Sequence, residues 1–244
     1  MAEAGEYRVL RRDIKVLTIR LLSALKEFYT FKELEEMLGL PYQVLWRYTN
    51  FLTTPEEGTA RRILQLIRER RLIESALEKN FMHVKSVSDI WVAVRNIGFL
   101  DLIAFEAMET MEGVDFDTVL AFPEESGVLG AIIAHWARSD VCITSRLVSI
   151  GEALVEYYRD SSLSLGFLAV SKNCLPRKGR VVLATLALYN KDMLEAAIAL
   201  VRKNGSVPLA LISIFAYSGE NWEEILKSRG IAKYRVFKYV NFLR

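Results

Sequence analysis

The first third of the chain has the periodicity of amphipathic helices. Apolar residues recur at spacings of three and four, and five of them predict one buried helix face: Ile14, Leu17, Leu21, Leu22 and Leu25. A similar stripe at positions 60, 63, 64 and 67 predicts a further helix. From about residue 7 to residue 80 the chain is therefore predicted to be all-α.

The pattern changes in the second half, where short apolar runs rich in β-branched residues predict strands. These runs cover residues 114–122, 180–188, 209–215 and 234–240. Helical segments are predicted between them, at 127–136, 193–203 and 222–228. Because strands that alternate with helices form βαβ units, we expect a mostly parallel sheet. The stretch from 145 to 180 contains turn residues and is predicted to be irregular.

A domain boundary is predicted near residue 80. The segment 83–113 is again helical and could dock on either half. We therefore expect an N-terminal helical domain over residues 1–80 and an α/β domain over residues 81–244.

Two short predicted helices in the first domain are spaced like a helix-turn-helix motif. Thr30 and Glu33 form a capping box for the first helix, Gly39 ends it, and Pro41 starts the second. Polar and aromatic side chains face outward, as expected for a surface that meets DNA bases and phosphates. The alternative is a three-helix bundle with a solvated face. The candidate DNA-binding residues are Thr30, Lys32, Tyr42, Gln43, Trp46, Arg47, Asn50, Arg61 and Arg62.

Composition restricts the remaining options. The 244 residues include 32 Lys+Arg and 30 Asp+Glu, so the formal charge of +2 does not by itself indicate a nucleic-acid or membrane partner. The 52% hydrophobic content is that of a globular protein and excludes disorder. No segment has the length of a membrane span and the start of the chain is acidic, so a cytoplasmic location is expected.

The cysteines and histidines give no sign of a metal site. Cys142 and Cys174 lie in apolar surroundings without metal-ligand spacing, and are predicted to be buried free thiols in a reducing compartment. His83 and His135 have no partner at ligand spacing. Neither a metal nor a cofactor is expected.

Three stretches of the second half carry a family resemblance: residues 119–130, 180–193 and 193–205. They are similar to the pyrophosphate loop, the phosphoribosyl pyrophosphate motif and the following helix of type I phosphoribosyltransferases. The resemblance covers most of residues 84–240. With the helical domain in front, the chain resembles archaeal transcription regulators that fuse a helix-turn-helix to a phosphoribosyltransferase-like domain.

The chain departs from that family where the chemistry resides. The acidic pair that holds the ribose hydroxyls falls on Thr185 and Leu186, and the phosphate loop contains no glycine. The resemblance therefore implies a domain without catalytic residues. A nucleotide or phosphoribosyl-type effector could still bind, at candidate residues Glu124, Glu125, Ser126, Gly127, Tyr189, Asn190, Lys191, Asp192 and Met193.

The leading hypothesis from the sequence is a transcription regulator that binds double-stranded DNA as a homodimer. Its phosphoribosyltransferase-like domain is expected to dimerise and to sense a nucleotide or a phosphorylated metabolite. Two alternatives stay open: an active nucleobase phosphoribosyltransferase, and an assembly protein with no small-molecule ligand. A paired-carboxylate site at Glu124 and Glu125 is a weaker enzyme alternative.

Overall fold

A computed structural model describes residues 13–148, 150–160 and 164–242. The chain divides into two compact units, of which the first ends at Ile103 and the second begins at Ala104. This division differs from the boundary expected near residue 80. The helices after residue 80 continue the helical unit, because their apolar faces pack within it.

The helical unit is built from short helices. They are α1 (Ile14–Leu25), α2 (Phe31–Leu38), α3 (Tyr42–Thr49), α4 (Glu57–Glu69), α5 (Leu72–Phe81), α6 (Val87–Val94) and α7 (Ile97–Thr110), and the division between the units falls within α7. The ring of Phe81 meets the ring of Phe99 edge-on, with centroids 5.5 Å apart. Arg20 on α1 forms an ion pair with Asp101 on α7 at 3.3 Å. These two contacts explain why the helical unit extends past residue 80.

The predicted signals at the ends of α2 are confirmed. The Thr30 hydroxyl accepts a hydrogen bond from the backbone N–H of Glu33, whose carboxylate in turn accepts from the Thr30 N–H. Gly39 adopts φ 65°, the left-handed conformation that glycine reaches without strain. Local sequence thus determines where this helix begins and ends.

The second unit contains a five-stranded parallel sheet with the order β2-β1-β5-β6-β7, and a separate hairpin, β3–β4. The parallel sheet confirms the predicted α/β architecture, whereas β2 and the hairpin lie where no strand was predicted. The elements are β1 (Thr118–Ala121), α8 (Gly127–Ala137), β2 (Asp140–Ile143), β3 (Ala153–Arg159), β4 (Leu165–Ser171), β5 (Arg180–Leu188), α9 (Lys191–Lys203), β6 (Val207–Tyr217), α10 (Trp222–Ser228) and β7 (Lys233–Val240).

The core of this unit lies between the sheet, α9 and the hairpin. Strands β5 and β6 are buried along most of their length, as expected for central strands of a parallel sheet. Trp222 is buried, and its indole N–H donates to the Tyr217 carbonyl at 2.8 Å. At the amino end of the sheet, the Arg180 guanidinium bonds to Asp115 and Asp117 at 2.7 and 3.0 Å, which ties β5 to the start of β1.

The prediction of two free thiols is wrong. Cys142 on β2 and Cys174 after β4 form a disulfide, with their Cα atoms 5.5 Å apart. The two residues are 32 positions apart in sequence, and only the folding of the hairpin onto the sheet brings them together. These cysteines therefore give no reason to expect a reducing compartment.

Candidate functional site

The carboxyl ends of the parallel strands form the edge of the sheet where a site is expected. Ligands of open α/β sheets bind outside these ends, near the point where the strand order reverses. Here the chain passes from β1 to β2 on one side and later places β5 on the other side of β1. The reversal therefore lies between the carboxyl ends of β1 and β5. The loops after β1 and β2 lie beside it.

A cavity of about 390 Å³ lies beside these loops and the hairpin. Its volume is within the range of small-molecule sites. It combines two carboxylates, one guanidinium, two aromatic rings and three hydroxyls, one of which is the Tyr158 phenol, and its lining is more polar than apolar. The lining residues are Pro123, Glu124, Glu125, Thr144, Ser145, Arg146, Tyr158, Phe167, Leu168 and Ala169.

Thr144 is the unusual side chain in this cavity. It directly follows β2, is only 2% exposed, and its Oγ1 has no hydrogen-bond partner within the described part of the chain. Leaving a buried hydroxyl unpaired costs about 1–3 kcal/mol. The oxygen itself is buried, so a ligand atom can pair with it and recover part of this cost only if the wall of the cavity shifts.

The two carboxylates have different surroundings. Glu124 accepts hydrogen bonds from the Ser145 hydroxyl at 3.3 Å and from the Arg146 backbone N–H at 3.4 Å, so the loops after β1 and β2 are joined through it. Glu125 acts electrostatically on the tyrosines of the site, Tyr158 and Tyr189. Glu124 is thus part of the wall, whereas Glu125 sets the charge of the site.

Both of these tyrosines are held in the neutral form. Burial raises the pKa of Tyr158, and the negative charges of Asp160 and Glu125 raise it further. Burial likewise raises the pKa of Tyr189, with contributions from Tyr158 and Glu125. Each phenol therefore loses its proton at a higher pH than a free tyrosine does.

Gly166 allows the Tyr158 ring to cover the neighbouring strand. The two residues are paired between β3 and β4. A Cβ atom at position 166 would come within 2.5 Å of the Tyr158 ring. A side chain at this position would therefore displace the ring. The absence of one at Gly166 allows Tyr158 to lie at the cavity.

The point where the strand order reverses is itself closed. Ser126 is fully buried, and its hydroxyl accepts a hydrogen bond from the Leu186 N–H at 2.9 Å. The Thr185 hydroxyl is also buried and donates to the Ala187 carbonyl at 3.1 Å. Neither Thr185 nor Leu186 offers a carboxylate to a ribose. The Leu186 N–H is bonded to Ser126 and the Thr185 hydroxyl to its own strand, so both groups are already engaged.

The N-terminus of α9 is also occupied. The Asn190 side chain accepts from the Met193 N–H at 3.0 Å and donates to the Arg159 carbonyl at 2.8 Å. Lys191 approaches Glu220 at 3.9 Å, and Asp192 lies in the first turn of the helix. A phosphate here would have to displace the cap and would face a carboxylate.

The structure separates the candidate effector residues into groups. Glu124 and Glu125 line the cavity, and Ser126 and Gly127 follow them into α8. Tyr189 lies close enough to Tyr158 and Glu125 to interact electrostatically with them. The others lie at the start of α9, where Lys191 and Asp192 line a different groove, against α10.

Sequence reasoning missed Thr144, Tyr158 and Phe167. These three residues line the cavity, but they lie in or near the stretch that was predicted to be irregular. Residues 153–159 show no clear period-two alternation, because most of β3 is only half-buried. The available signal was the content of strand-forming residues, Val155, Tyr157 and Tyr158.

In the helical unit, the nine candidate DNA-binding residues are all exposed. Tyr42 and Trp46 are 51% and 47% exposed on α3. Several of the others are engaged locally: Thr30 caps α2, the Asn50 side chain donates to the Trp46 carbonyl at 2.8 Å, and Arg61 pairs with Glu57 at 2.5 Å. Gln43, Arg47, Lys32 and Arg62 complete the exposed set.

Comparison with protein-family models gives no match, and no curated protein matches the sequence. Solved structures do match. The chain is similar to adenine phosphoribosyltransferase from Thermoanaerobacter pseudethanolicus, with a TM-score of 0.57 and 16% identity, over 67% of this chain and 99% of that one. The enzyme from Rhodothermus marinus matches with a TM-score of 0.54 and 13% identity, over 68% of this chain and 99% of that one. The enzyme from Giardia lamblia, solved with 9-deazaadenine, matches with a TM-score of 0.53 and 14% identity, over 60% of this chain and 82% of that one.

The α/β unit therefore has the type I phosphoribosyltransferase fold, as the sequence resemblance implied. The leading functional hypothesis, a DNA-binding transcription regulator, is wrong: the matches are phosphoribosyltransferases and favour the alternative reading of a phosphoribosyltransferase-like protein. The Arg61–Glu57 pair also reduces the free positive charge of the proposed DNA surface. No helix among the described residues is long and apolar enough to cross a membrane.

Proposed function

We propose that the α/β unit binds a nucleobase in the cavity beside β1, β2 and the hairpin, and that it does not transfer a phosphoribosyl group. The observation that carries the proposal is the buried, unpartnered hydroxyl of Thr144 at the wall of this cavity. A heterocycle with a nitrogen or carbonyl acceptor would pair with it once the wall shifts to admit the ligand.

The chemistry of the walls supports a neutral, planar ligand. Tyr158 and Phe167 offer apolar ring surface, and the Glu125 carboxylate can accept from a ring N–H or an exocyclic amino group. Two carboxylates at the same wall, against the single guanidinium of Arg146, oppose a phosphate or pyrophosphate. The similar structure from Giardia lamblia was solved with 9-deazaadenine, which is also a planar heterocycle.

The lack of transfer chemistry rests on the closed reversal point. Thr185 and Leu186 are buried and supply no carboxylate for the ribose hydroxyls, and Asn190 occupies the amides at the start of α9. Without these groups, phosphoribosyl pyrophosphate would have neither its diol contacts nor its phosphate contacts. An active nucleobase phosphoribosyltransferase is the second candidate, favoured by the solved structures that match the fold.

Isothermal titration of the full chain with adenine, guanine, hypoxanthine and uracil tests the binding. We expect at least one base to bind, and Thr144→Val to weaken it about two- to tenfold, the loss of one neutral hydrogen bond. Thr118→Val is a matched control, since Thr118 is 1% exposed and its Oγ1 also lacks a partner among the described residues. Thr118 begins β1, at the opposite end of that strand from the cavity.

A parallel assay for pyrophosphate release, with phosphoribosyl pyrophosphate and each base, should give no turnover. Binding that is equally weakened by Thr144→Val and Thr118→Val would place the ligand elsewhere. The absence of binding by all four bases would refute the proposed ligand. Release of pyrophosphate would show that the second candidate is correct.

A further inference from the structure

The segment between Cys142 and Cys174, which the disulfide closes into a loop, supplies most of the lining of the candidate site. Of the ten lining residues, seven lie between the two cysteines in sequence, from Thr144 to Ala169. The other three, Pro123, Glu124 and Glu125, belong to the loop after β1. The bond therefore joins the two ends of the segment that supplies most of the cavity wall.

The hairpin is attached to its surroundings unequally. On one side it is held by α9: Lys203 donates to the Val155 carbonyl at 3.1 Å and pairs with Glu156 at 2.7 Å, and Asn190 donates to the Arg159 carbonyl at 2.8 Å. Leu168 and Val170 also pack in the core that α9 shares. The polar contacts with α9 do not involve the disulfide, whereas the core cluster includes Cys142 and has Cys174 packed against it.

The side of the hairpin that faces β2 has fewer attachments. The Ser145 N–H donates to the Ala169 carbonyl at 2.8 Å, which joins the loop after β2 to β4. Cys142 is fully buried within β2, and its bond to Cys174 adds the covalent link on this side. Neither strand of the hairpin belongs to the five-stranded sheet, so among the described residues no ladder of backbone hydrogen bonds replaces this link.

We propose that the disulfide is a redox-sensitive clasp: it keeps the hairpin wall of the cavity against β2, and its reduction lowers the affinity for the nucleobase. This inference rests on the proposed function. Cys174 is half-buried, whereas Cys142 has no exposed surface, so a reductant approaches the bond from the side of Cys174. The reductant is a dithiol: its thiolate attacks Cys174, the S–S bond breaks, and the resulting mixed disulfide is resolved by the second thiol. The dithiol is oxidised to a disulfide, and both cysteines are reduced to thiols.

Reduction should change the binding without unfolding the sheet. The contacts with α9 persist, so the hairpin remains folded but samples positions in which Thr144 and Phe167 no longer line one cavity. If the assembled arrangement is populated about one-tenth of the time, the apparent affinity falls about tenfold.

The test compares the oxidised full chain with the same chain treated with dithiothreitol, after alkylation and mass spectrometry have counted the free thiols. The probe is adenine, or whichever of the four bases binds the oxidised chain. We expect about tenfold weaker binding after reduction. Cys174→Ser should behave like the reduced chain under oxidising conditions, and Thr118→Val should retain the response of the wild type.

Hydrogen–deuterium exchange separates this inference from the proposed function, because it needs no ligand. Reduction should accelerate amide exchange in residues 144–146 and 165–171 and leave α9 unchanged. If no base binds but the exchange responds, the proposed function fails and the clasp is supported. Unchanged exchange and unchanged affinity after verified reduction would overturn the clasp, and the reduced wild type gives this result even if Cys174→Ser does not fold.

Discussion

Replacing Ser126 with alanine should destabilise the α/β unit. The substitution removes the acceptor of the Leu186 N–H, a bond of 2.9 Å between residues that are 0% and 3% exposed. Alanine leaves that N–H buried without a partner, which costs about 1–3 kcal/mol. For a unit of this size, the melting temperature should fall by about 2–12 °C.

Thermal unfolding followed by circular dichroism measures this change. Ser228→Ala is the control, because the Ser228 hydroxyl is exposed and bonds only at the end of α10, so its loss should cost no more than about 0.5 kcal/mol. Amide exchange at Leu186 should also accelerate in Ser126→Ala. If Ser126→Ala and Ser228→Ala melt together, the contact does not close the reversal point of the sheet and the reasoning about the missing ribose site fails.

Two further predictions concern the surroundings of the cavity. Because burial raises the pKa of Tyr158 and Tyr189, their contribution to stability should be fully present below pH about 10 and lost as the pH rises through their folded-state pKa values. Urea unfolding between pH 8 and 11 should show that the free energy of unfolding falls with pH, and that it falls less in Tyr158→Phe. Equal slopes of this free energy against pH in the two proteins would contradict the prediction. Asn190→Ala should cost about 1 kcal/mol by removing the α9 cap, whereas Asn190→Asp should cost less, because it keeps the acceptor and loses only the bond to Arg159. Urea titration of both variants checks the order, and the reverse order would refute the capping role.

The sequence predicted the elements whose signal is local. The order β5, α9, β6, α10, β7 follows from apolar runs and helical stripes that lie within each segment, and the capping box of α2 from two residues. Strand β2 has four residues, three of them exposed, and β3 is mostly half-buried, so neither has a clear apolar period. The hairpin was missed for that reason.

The rest depended on contacts that sequence spacing does not encode. The cysteine pair forms because the hairpin folds back onto β2, and the end of the helical unit depends on which surface α5–α7 bury. The unpaired hydroxyl of Thr144 has no signature in a sequence, because a threonine after a strand is ordinarily hydrogen-bonded. The loss of the acidic pair at Thr185 and Leu186 was visible from the sequence, but their burial was not.

The strand order has a consequence for how the chain folds. Strands β5, β6 and β7 are neighbours both in sequence and in the sheet, whereas β1 pairs with β5 across a long separation, with Thr118 opposite Val181. Contacts between distant positions require the closure of a long loop and slow folding. During synthesis β1 and β2 leave the ribosome well before β5, so they must wait for their central partner. We therefore expect the cavity to be among the last features of a newly made chain to form, and ligand binding to report on completed folding.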